Sequence, residues 1–104
     1  MNKKVEQAIE KKKFEPLKKL ADGRDEALKI EAIAAMGQVP CEDSFNYLTA
    51  SLRNPSANVR TAAAVGLGAS KNPKAYAFLD HQMQQETDEG IREKMRSAMA
   101  SCRE

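Results

Sequence analysis

A short pattern occurs three times along the chain, and its spacing constrains the fold more than any other feature. Each copy has a residue that can cap a helix, an aliphatic residue three positions later, a cation beside it, and then a stripe of small residues. The aliphatic residues of the three copies are Leu28, Val59 and Ile91, which are 31 and 32 residues apart. Periods of about 20–50 residues are the signature of repeat architectures. The chain is therefore predicted to be a stack of similar units.

Each copy begins with its own helix start signal. Asp25, Ser56 and Asp88 lie three residues before the aligned aliphatic residues. Their side chains can accept a hydrogen bond from a free N–H group of the first helical turn. In the central copy, small and apolar side chains share one helical face. Because small residues let a neighbouring helix approach closely, this helix is expected to pack on more than one side.

An aromatic residue followed three positions later by leucine precedes each of these helices. The pairs are Phe14 and Leu17, Phe45 and Leu48, and Tyr76 and Leu79. This spacing predicts one apolar face of a short amphipathic helix. Each unit is thus predicted to be a hairpin of a first (A) helix and a second (B) helix. Such a hairpin buries its apolar faces only by stacking on its neighbours.

These patterns predict an all-α fold with one domain over residues 1–104. The predicted segments are a capping helix at 1–13 and repeats at 14–37, 43–68 and 74–100. The capping helix should cover Ile30 and Ile33, which correspond to smaller or charged residues in the later copies. The glycines expected to end helices in the left-handed conformation are Gly23, Gly37 and Gly68. The third copy is more polar, as expected of a terminal repeat.

Charge and hydropathy exclude several classes of protein. The formal net charge is +2, but residues 1–20 contain seven lysines and three glutamates, so the basic charge is concentrated at that end. No apolar run approaches the roughly 20 residues of a membrane-spanning helix. The lysine-rich start also lacks the apolar segment of a signal peptide. A cytoplasmic protein without membrane contact is expected, with Cys41 and Cys102 as free thiols.

The segment from Asn58 to Gly68, N-V-R-T-A-A-A-V-G-L-G, resembles the second helix of a HEAT repeat. It is most similar to the short HEAT-like repeats of the phycobilisome-lyase (PBS lyase) type. The resemblance extends from Phe14 to Ala100. It implies a right-handed α-α superhelix, a solenoid whose B helices line a concave side that binds another protein. In this family the repeated cation usually donates hydrogen bonds to neighbouring turns, which implies structural roles for Lys29, Arg60 and Arg92.

The sequence contains no recognisable catalytic motif and no ligand set for a metal site, although a Ser–His or Cys–His pair would depend on the fold. His81 is the only histidine, so paired histidine ligands cannot be built from this chain. The segment from Gly66 to Lys71 lacks the spacing of a phosphate-binding loop. No catalytic, cofactor-binding or metal site is predicted, and no cofactor. The predicted function is a non-catalytic protein–protein interaction module, a scaffold or adaptor. Its candidate partner-binding row consists of Ile30, Thr61, Ala64, Glu93 and Arg96.

Two alternative functions are left open. The first is nucleic-acid backbone binding by the N-terminal lysines and Arg60, because clustered cations release counterions from phosphates. These lysines are Lys3, Lys4, Lys11, Lys12, Lys13, Lys18 and Lys19. Two observations argue against nucleic-acid binding: three consecutive lysines point in three directions on a helix, and no aromatic platform accompanies them. The lysines are also compatible with a solvated helix face or with an acidic protein partner. The second alternative, implied by the resemblance, is a bilin-lyase-like accessory subunit.

Overall fold

The computed structural model describes residues 1–103 of the chain. Within these residues it contains seven α-helices, one short 3-10 helix and no β-strand. The α-helices are α1 (Lys3–Glu10), α2 (Phe14–Ala21), α3 (Glu26–Ala35), α4 (Glu42–Ser51), α5 (Ala57–Ser70), α6 (Ala75–Gln85) and α7 (Glu89–Ser101). The 3-10 helix, Met36–Gln38, directly follows α3. The predicted all-α fold is confirmed.

The helices form three hairpins, in which α2 packs on α3, α4 on α5 and α6 on α7. The B helices α3, α5 and α7 also pack side by side, with α5 in the middle of the layer. Helix α5 therefore contacts α3, α4 and α7, as its small residues predict. Ala62, Ala63 and Ala64 are all buried at these contacts.

The three predicted helix starts are confirmed. Asp25, Ser56 and Asp88 each accept a hydrogen bond from the N–H group three residues later, at 3.1, 3.4 and 3.1 Å. All three have extended backbone angles and directly precede a B helix. The three B helices therefore begin in the same way, which supports the aligned period.

The A helices bury their leucines and leave their aromatic rings partly covered. Leu17, Leu48 and Leu79 are all fully buried. The rings of Phe45 and Phe78 meet edge to face, with centroids 5.6 Å apart. Because these two rings belong to α4 and α6, the contact joins neighbouring hairpins.

Helix α1 covers the outer side of the first hairpin, where it packs on both α2 and α3. Val5 and Ala8 are buried in this contact, and Ile33 of α3 is buried as well. The backbone N–H of Asn2 donates a hydrogen bond of 2.7 Å to the carboxylate of Glu31. The side chain of Asn2 caps α1. Both the apolar face and the start of α1 are therefore held against the rest of the fold.

The prediction that Gly23, Gly37 and Gly68 end helices in a left-handed conformation is wrong. No glycine among the described residues has a positive φ. Helix α5 continues through Gly68 to Ser70, and Lys71, with φ 52°, takes the left-handed position. Gly37 lies inside the 3-10 helix.

Two of these glycines instead permit close contact between B helices. A methyl group on Gly37 would overlap the backbone of Gly66 in α5. A methyl group on Gly68 would lie 3.1 Å from the Cα atom of Ala98 in α7. Gly37 therefore requires a residue without a side chain, whereas a methyl group at Gly68 would be tight and would need α7 to shift slightly.

Candidate functional site

The predicted partner-binding row is interrupted at Ala64. This residue is 0% exposed, so its assignment to an outward row is wrong. Ile30 and Thr61 are half-buried, while Glu93 and Arg96 are exposed and form an ion pair with each other. Ala64 is buried because α5 packs against helices on three sides, which leaves only a narrow exposed arc.

The residue that follows each of the aligned positions Ile33, Ala64 and Arg96 is at least partly exposed. Val65 is 44% exposed, Ser97 is exposed and Ala34 is half-buried. We call the surface formed by Ile30, Ala34, Thr61, Val65, Glu93 and Ser97 the B-helix face. The polar Ser97, which aligns with Val65, was the sequence signal for this exposure.

The B-helix face changes character from one end to the other. Its first two helices contribute the apolar side chains of Ile30, Ala34 and Val65. The hydroxyl of Thr61 donates to the carbonyl of Ala57 at 2.9 Å, so its proton is used within α5. The third helix contributes the polar residues of the face. The face can therefore offer apolar contact on α3 and α5 and polar contact on α7.

Arg60 connects the second and third hairpins. Its Nη1 donates to the carbonyl oxygens of Asn54 and Pro55, each at 3.0 Å. Its Nε and Nη2 donate to the two carboxylate oxygens of Glu86 at 2.8 and 3.2 Å. Glu86 is only 6% exposed, and the hydrogen bond from Arg60 is the main cause that lowers its pKa. The carboxylate of Glu86, which precedes α7, is therefore bound by Arg60 of α5.

Arg92 occupies the equivalent position on α7. Its Nη1 donates to the carbonyl of Met83 at 2.8 Å, and its Nε lies 3.5 Å from the carboxylate of Glu89. Arg60 and Arg92 thus make the hydrogen bonds to neighbouring turns that the resemblance implies. Whether these contacts, rather than partner binding, are the main role of the three repeat cations stays a prediction.

Lys29, the cation of the first copy, is half-buried near a polar link between the first two hairpins. The hydroxyl of Tyr47 donates to the carboxylate of Asp22 at 2.6 Å. The pKa of Asp22 is lowered mainly by the hydrogen bond from Lys18, with smaller effects of Tyr47 and Lys29. Burial and the hydrogen bond to Asp22 raise the pKa of Tyr47. Tyr47 is therefore held as a neutral hydrogen-bond donor.

Four of the N-terminal lysines surround one groove between α1 and α2, with a volume of about 300 Å³. They are Lys4, Lys11, Lys13 and Lys19. The expectation that the consecutive lysines point in three directions from a helix is wrong, because α1 ends at Glu10. Lys12 has a φ of 53°, which turns the chain so that Lys11 and Lys13 line the same groove.

The turn at Lys12 is closed by two backbone hydrogen bonds. The N–H of Lys13 donates to the carbonyl of Ala8 at 2.9 Å, and that of Lys12 donates to Ile9 at 3.1 Å. This pair of bonds is the Schellman motif, whose left-handed residue is usually glycine. The lysine at this position could not be recognised as a turn residue from the sequence.

The only histidine and the two cysteines belong to three different hairpin elements. His81 is exposed on α6, and Cys41 is exposed at the start of α4. Cys102 is buried, not part of a free tail, and its thiol donates to the carbonyl of Leu67 at 3.3 Å. Within residues 1–103, no group of three or more His, Cys, Asp or Glu side chains is placed to hold a metal ion. None of the described helices is both long enough and apolar enough to cross a membrane.

Comparison with known proteins agrees with this architecture. The family model of HEAT repeats matches residues 14–100, which begin at α2 and end in α7. The chain has no significant match among curated proteins or solved structures. HEAT repeats generally act as protein-interaction modules and are generally non-catalytic. Since the match spans most of the chain and includes all three hairpins, the chain belongs to the HEAT-repeat family.

Proposed function

We propose that this chain is a scaffold or adaptor that binds one protein partner on the B-helix face. The observation that carries this proposal is the exposure of Val65, 44%, at the centre of the layer formed by α3, α5 and α7. Ile30 and Ala34 on the neighbouring helix extend the apolar surface. Covering apolar surface stabilises a complex in proportion to the area removed from water.

The polar residues on α7 supply the rim of the proposed interface. Glu93 and Arg96 are exposed and already paired with each other, so a partner does not have to neutralise an isolated charge. Protein interfaces commonly have an apolar centre and a polar rim. We therefore place the centre of the interface on α5 and its edge on α7.

We further propose that the chain is one domain, with residues 1–13 as the capping helix and the repeats at 14–37, 43–68 and 74–100. Its cytoplasmic location and its relation to the phycobilisome-lyase type of repeat also stay predictions. The bilin-lyase-like alternative predicts that the purified protein changes the absorption spectrum of an added linear tetrapyrrole. An unchanged spectrum would remove that alternative and leave the scaffold proposal intact.

The scaffold proposal is tested by affinity capture from the native host followed by cross-link mapping. Val65→Arg and Thr61→Arg each place a charge on the B-helix face and should abolish recovery of the specific partner. Ala77→Arg adds the same charge at an exposed position of α6, on an A helix, and should leave recovery unchanged. Circular dichroism must show the same helix content and melting temperature for all three variants. Equal recovery with Val65→Arg and the unmodified protein would contradict the proposed surface.

A further inference from the structure

We propose a second binding site, in the groove between α1 and α2, for an acidic peptide segment that carries a large apolar side chain between its carboxylates. This site is separate from the B-helix face, since the residues that line it belong to α1, α2 and the turn between them. The proposal rests on the charge of the groove, on its apolar lining, and on two unfavourable residues in the turn.

The charge of the groove has a single sign. Lysines 4 and 11 lie on the α1 side, and lysines 13 and 19 lie on the α2 side. Gln7 is the only other polar residue that lines the groove, and no carboxylate does so among the described residues. The two glutamates of α1 and Glu15 of α2 are exposed and do not line the groove. The lysines therefore create a positive potential that neighbouring acidic side chains do not cancel within the groove.

The groove is also partly apolar. Ala8, Pro16 and Leu20 line it together with the four lysines. Its volume of about 300 Å³ is at the lower end of the range for pockets that hold small ligands. An apolar side chain of a peptide can occupy this space while carboxylates on either side of it reach the lysine ammonium groups. A ligand with only negative charge would leave the apolar wall uncovered.

Two neighbouring residues in the turn are unfavourable for the fold itself. Lys12 adopts the left-handed conformation, in which any side chain with a Cβ atom is disfavoured and glycine is preferred. Lys13 is the N-cap of α2, where its side chain makes no capping hydrogen bond. Ser, Thr, Asp and Asn are preferred there, and a cation lies unfavourably near the positive end of the helix dipole.

The effect of this turn is to bring the charge of Lys13 to the groove beside Lys11. Strained backbone and broken local rules concentrate at functional sites, and the rest of the fold compensates for the loss of stability. Nothing in the packing of α1 requires a lysine at either position. The backbone of the turn closes α1, but the side chains of Lys12 and Lys13 add no stability to it, and the charge of Lys13 at the groove fits a binding role.

A peptide fits these features better than nucleic acid does. No aromatic residue lines the groove, so bases would have no stacking surface. The groove also lacks arginine, which is the residue suited to bidentate contact with phosphate. Lysine ammonium groups pair well with single carboxylates, and the apolar wall favours an aliphatic side chain between them.

The test measures fluorescence anisotropy of a labelled peptide in which a pair of leucines is flanked on both sides by glutamate and aspartate. The full chain should bind it saturably at low ionic strength, and added salt should weaken binding. Lys4→Glu combined with Lys19→Glu reverses one charge on each side of the groove and should weaken binding by about tenfold or more. Lys3→Glu combined with Lys94→Glu changes the net charge equally, outside the groove, and should keep the affinity within about twofold.

A second peptide with asparagine in place of both leucines tests the apolar wall and should bind at least about tenfold more weakly. Thermal melting checks that both double variants are folded. If the variant with Lys4→Glu and Lys19→Glu unfolds, Lys13→Ala serves as a milder substitution in the groove. Absence of peptide binding, equal loss in both double variants, or equal binding of the asparagine peptide would each overturn the proposal. If duplex DNA or phosphatidylserine vesicles bind more tightly than the peptide through the same lysines, the proposal is also overturned. The groove would then be assigned to nucleic acid or to a membrane surface.

Discussion

Replacement of Gly37 by alanine tests the close packing on which the helix layer depends. A methyl group at this position would overlap the carbonyl oxygen of Gly66 and would lie 2.7 Å from its carbonyl carbon and 2.9 Å from its Cα atom. All of these are backbone atoms, which cannot rotate away as the end of a side chain can. Because Gly66 lies in α5, the end of the first hairpin would have to move away from the middle of the layer.

The size of the effect follows from these distances. Carbon atoms pack at about 3.5–4.0 Å, so the two backbones must separate by roughly 1 Å. Overpacking usually costs about 1–3 kcal/mol, and we expect about 3 kcal/mol here because backbone lies on both sides of the contact. A domain of this size has a free energy of unfolding of roughly 5–15 kcal/mol. The melting temperature should therefore fall by about 12 °C or more.

The other glycines provide a graded comparison. Gly68→Ala meets the Cα and Cβ atoms of Ala98 at 3.1 and 3.2 Å and should cost about 1 kcal/mol. Gly90→Ala lies in the exposed first turn of α7, where its methyl group would lie 3.2 Å from Oδ1 of the capping Asp88, a side chain that can shift, so the change should stay within about 0.5 kcal/mol of neutral. Urea unfolding followed by circular dichroism measures all three. A Gly37→Ala protein within about 0.5 kcal/mol of the unmodified chain would refute the close approach of the two backbones.

Three further predictions follow from polar and strained residues. Glu86→Gln should cost about 2–3 kcal/mol at pH 7, because it removes one charge of the buried pair with Arg60. Arg60 lowers the pKa of Glu86 in the folded chain, so the ion pair stabilises the fold fully above about pH 4.3, and this stabilisation is lost as pH falls through the lower folded pKa. In urea unfolding, the difference in stability between Glu86→Gln and the unmodified chain should therefore shrink in acid. An equal difference at pH 7 and about pH 3 would contradict this. Cys41 should react quickly with a thiol reagent and Cys102 only after unfolding, because burial raises its pKa, and simultaneous reaction would be the contrary result. Lys12→Gly should raise stability by about 0.5–1 kcal/mol, and a lower melting temperature would argue against the left-handed turn.

The parts of the fold that were predictable from sequence depend on local chemistry. Asp25, Ser56 and Asp88 are capping residues because a short polar side chain reaches the free N–H groups of its own helix. Such contacts involve residues three positions apart, so the sequence contains all the information they require. The buried leucines of the A helices follow from spacing for the same reason. The period of the repeat then orders these local elements into a stack.

The role of the glycines was not predictable because it depends on contacts between distant residues. A glycine near the end of a helix is compatible with a left-handed cap and also with a close contact to another helix. The sequence around Gly68 contains no signal that α5 continues to Ser70, since Lys71 is not a residue typical of the left-handed position. The Cα atom of Ala98 decides between the two roles, and its closeness is known only from the folded chain.

The prediction of Ala64 as an outward residue was wrong by one position for a related reason. Successive residues on a helix differ by about 100°, so an error of one position moves a side chain from an exposed arc to a buried one. Ala64 and Val65 are neighbours, and neither has a side chain that excludes burial. Their alignment with Ile33 and Ala34 in the first repeat contained the answer, because Ile33, the larger apolar residue of that pair, is the one that is buried. Arg96, exposed in the terminal repeat, masked that signal.

The arrangement of the N-terminal lysines depends on a single backbone angle, that of Lys12. As a continuous helix, three consecutive lysines would spread their charges around the axis, and no groove would form. The left-handed conformation of Lys12 instead ends α1 and turns the chain, so that Lys13 faces the groove from the start of α2. If the turn serves only to join two helices, Lys12→Gly should improve stability without changing affinity for the acidic peptide. If the side chain of Lys12 contributes to binding as well, the same substitution should stabilise the fold and weaken the complex. Stability and peptide affinity measured together therefore show whether the strained residue only connects two helices or also takes part in binding.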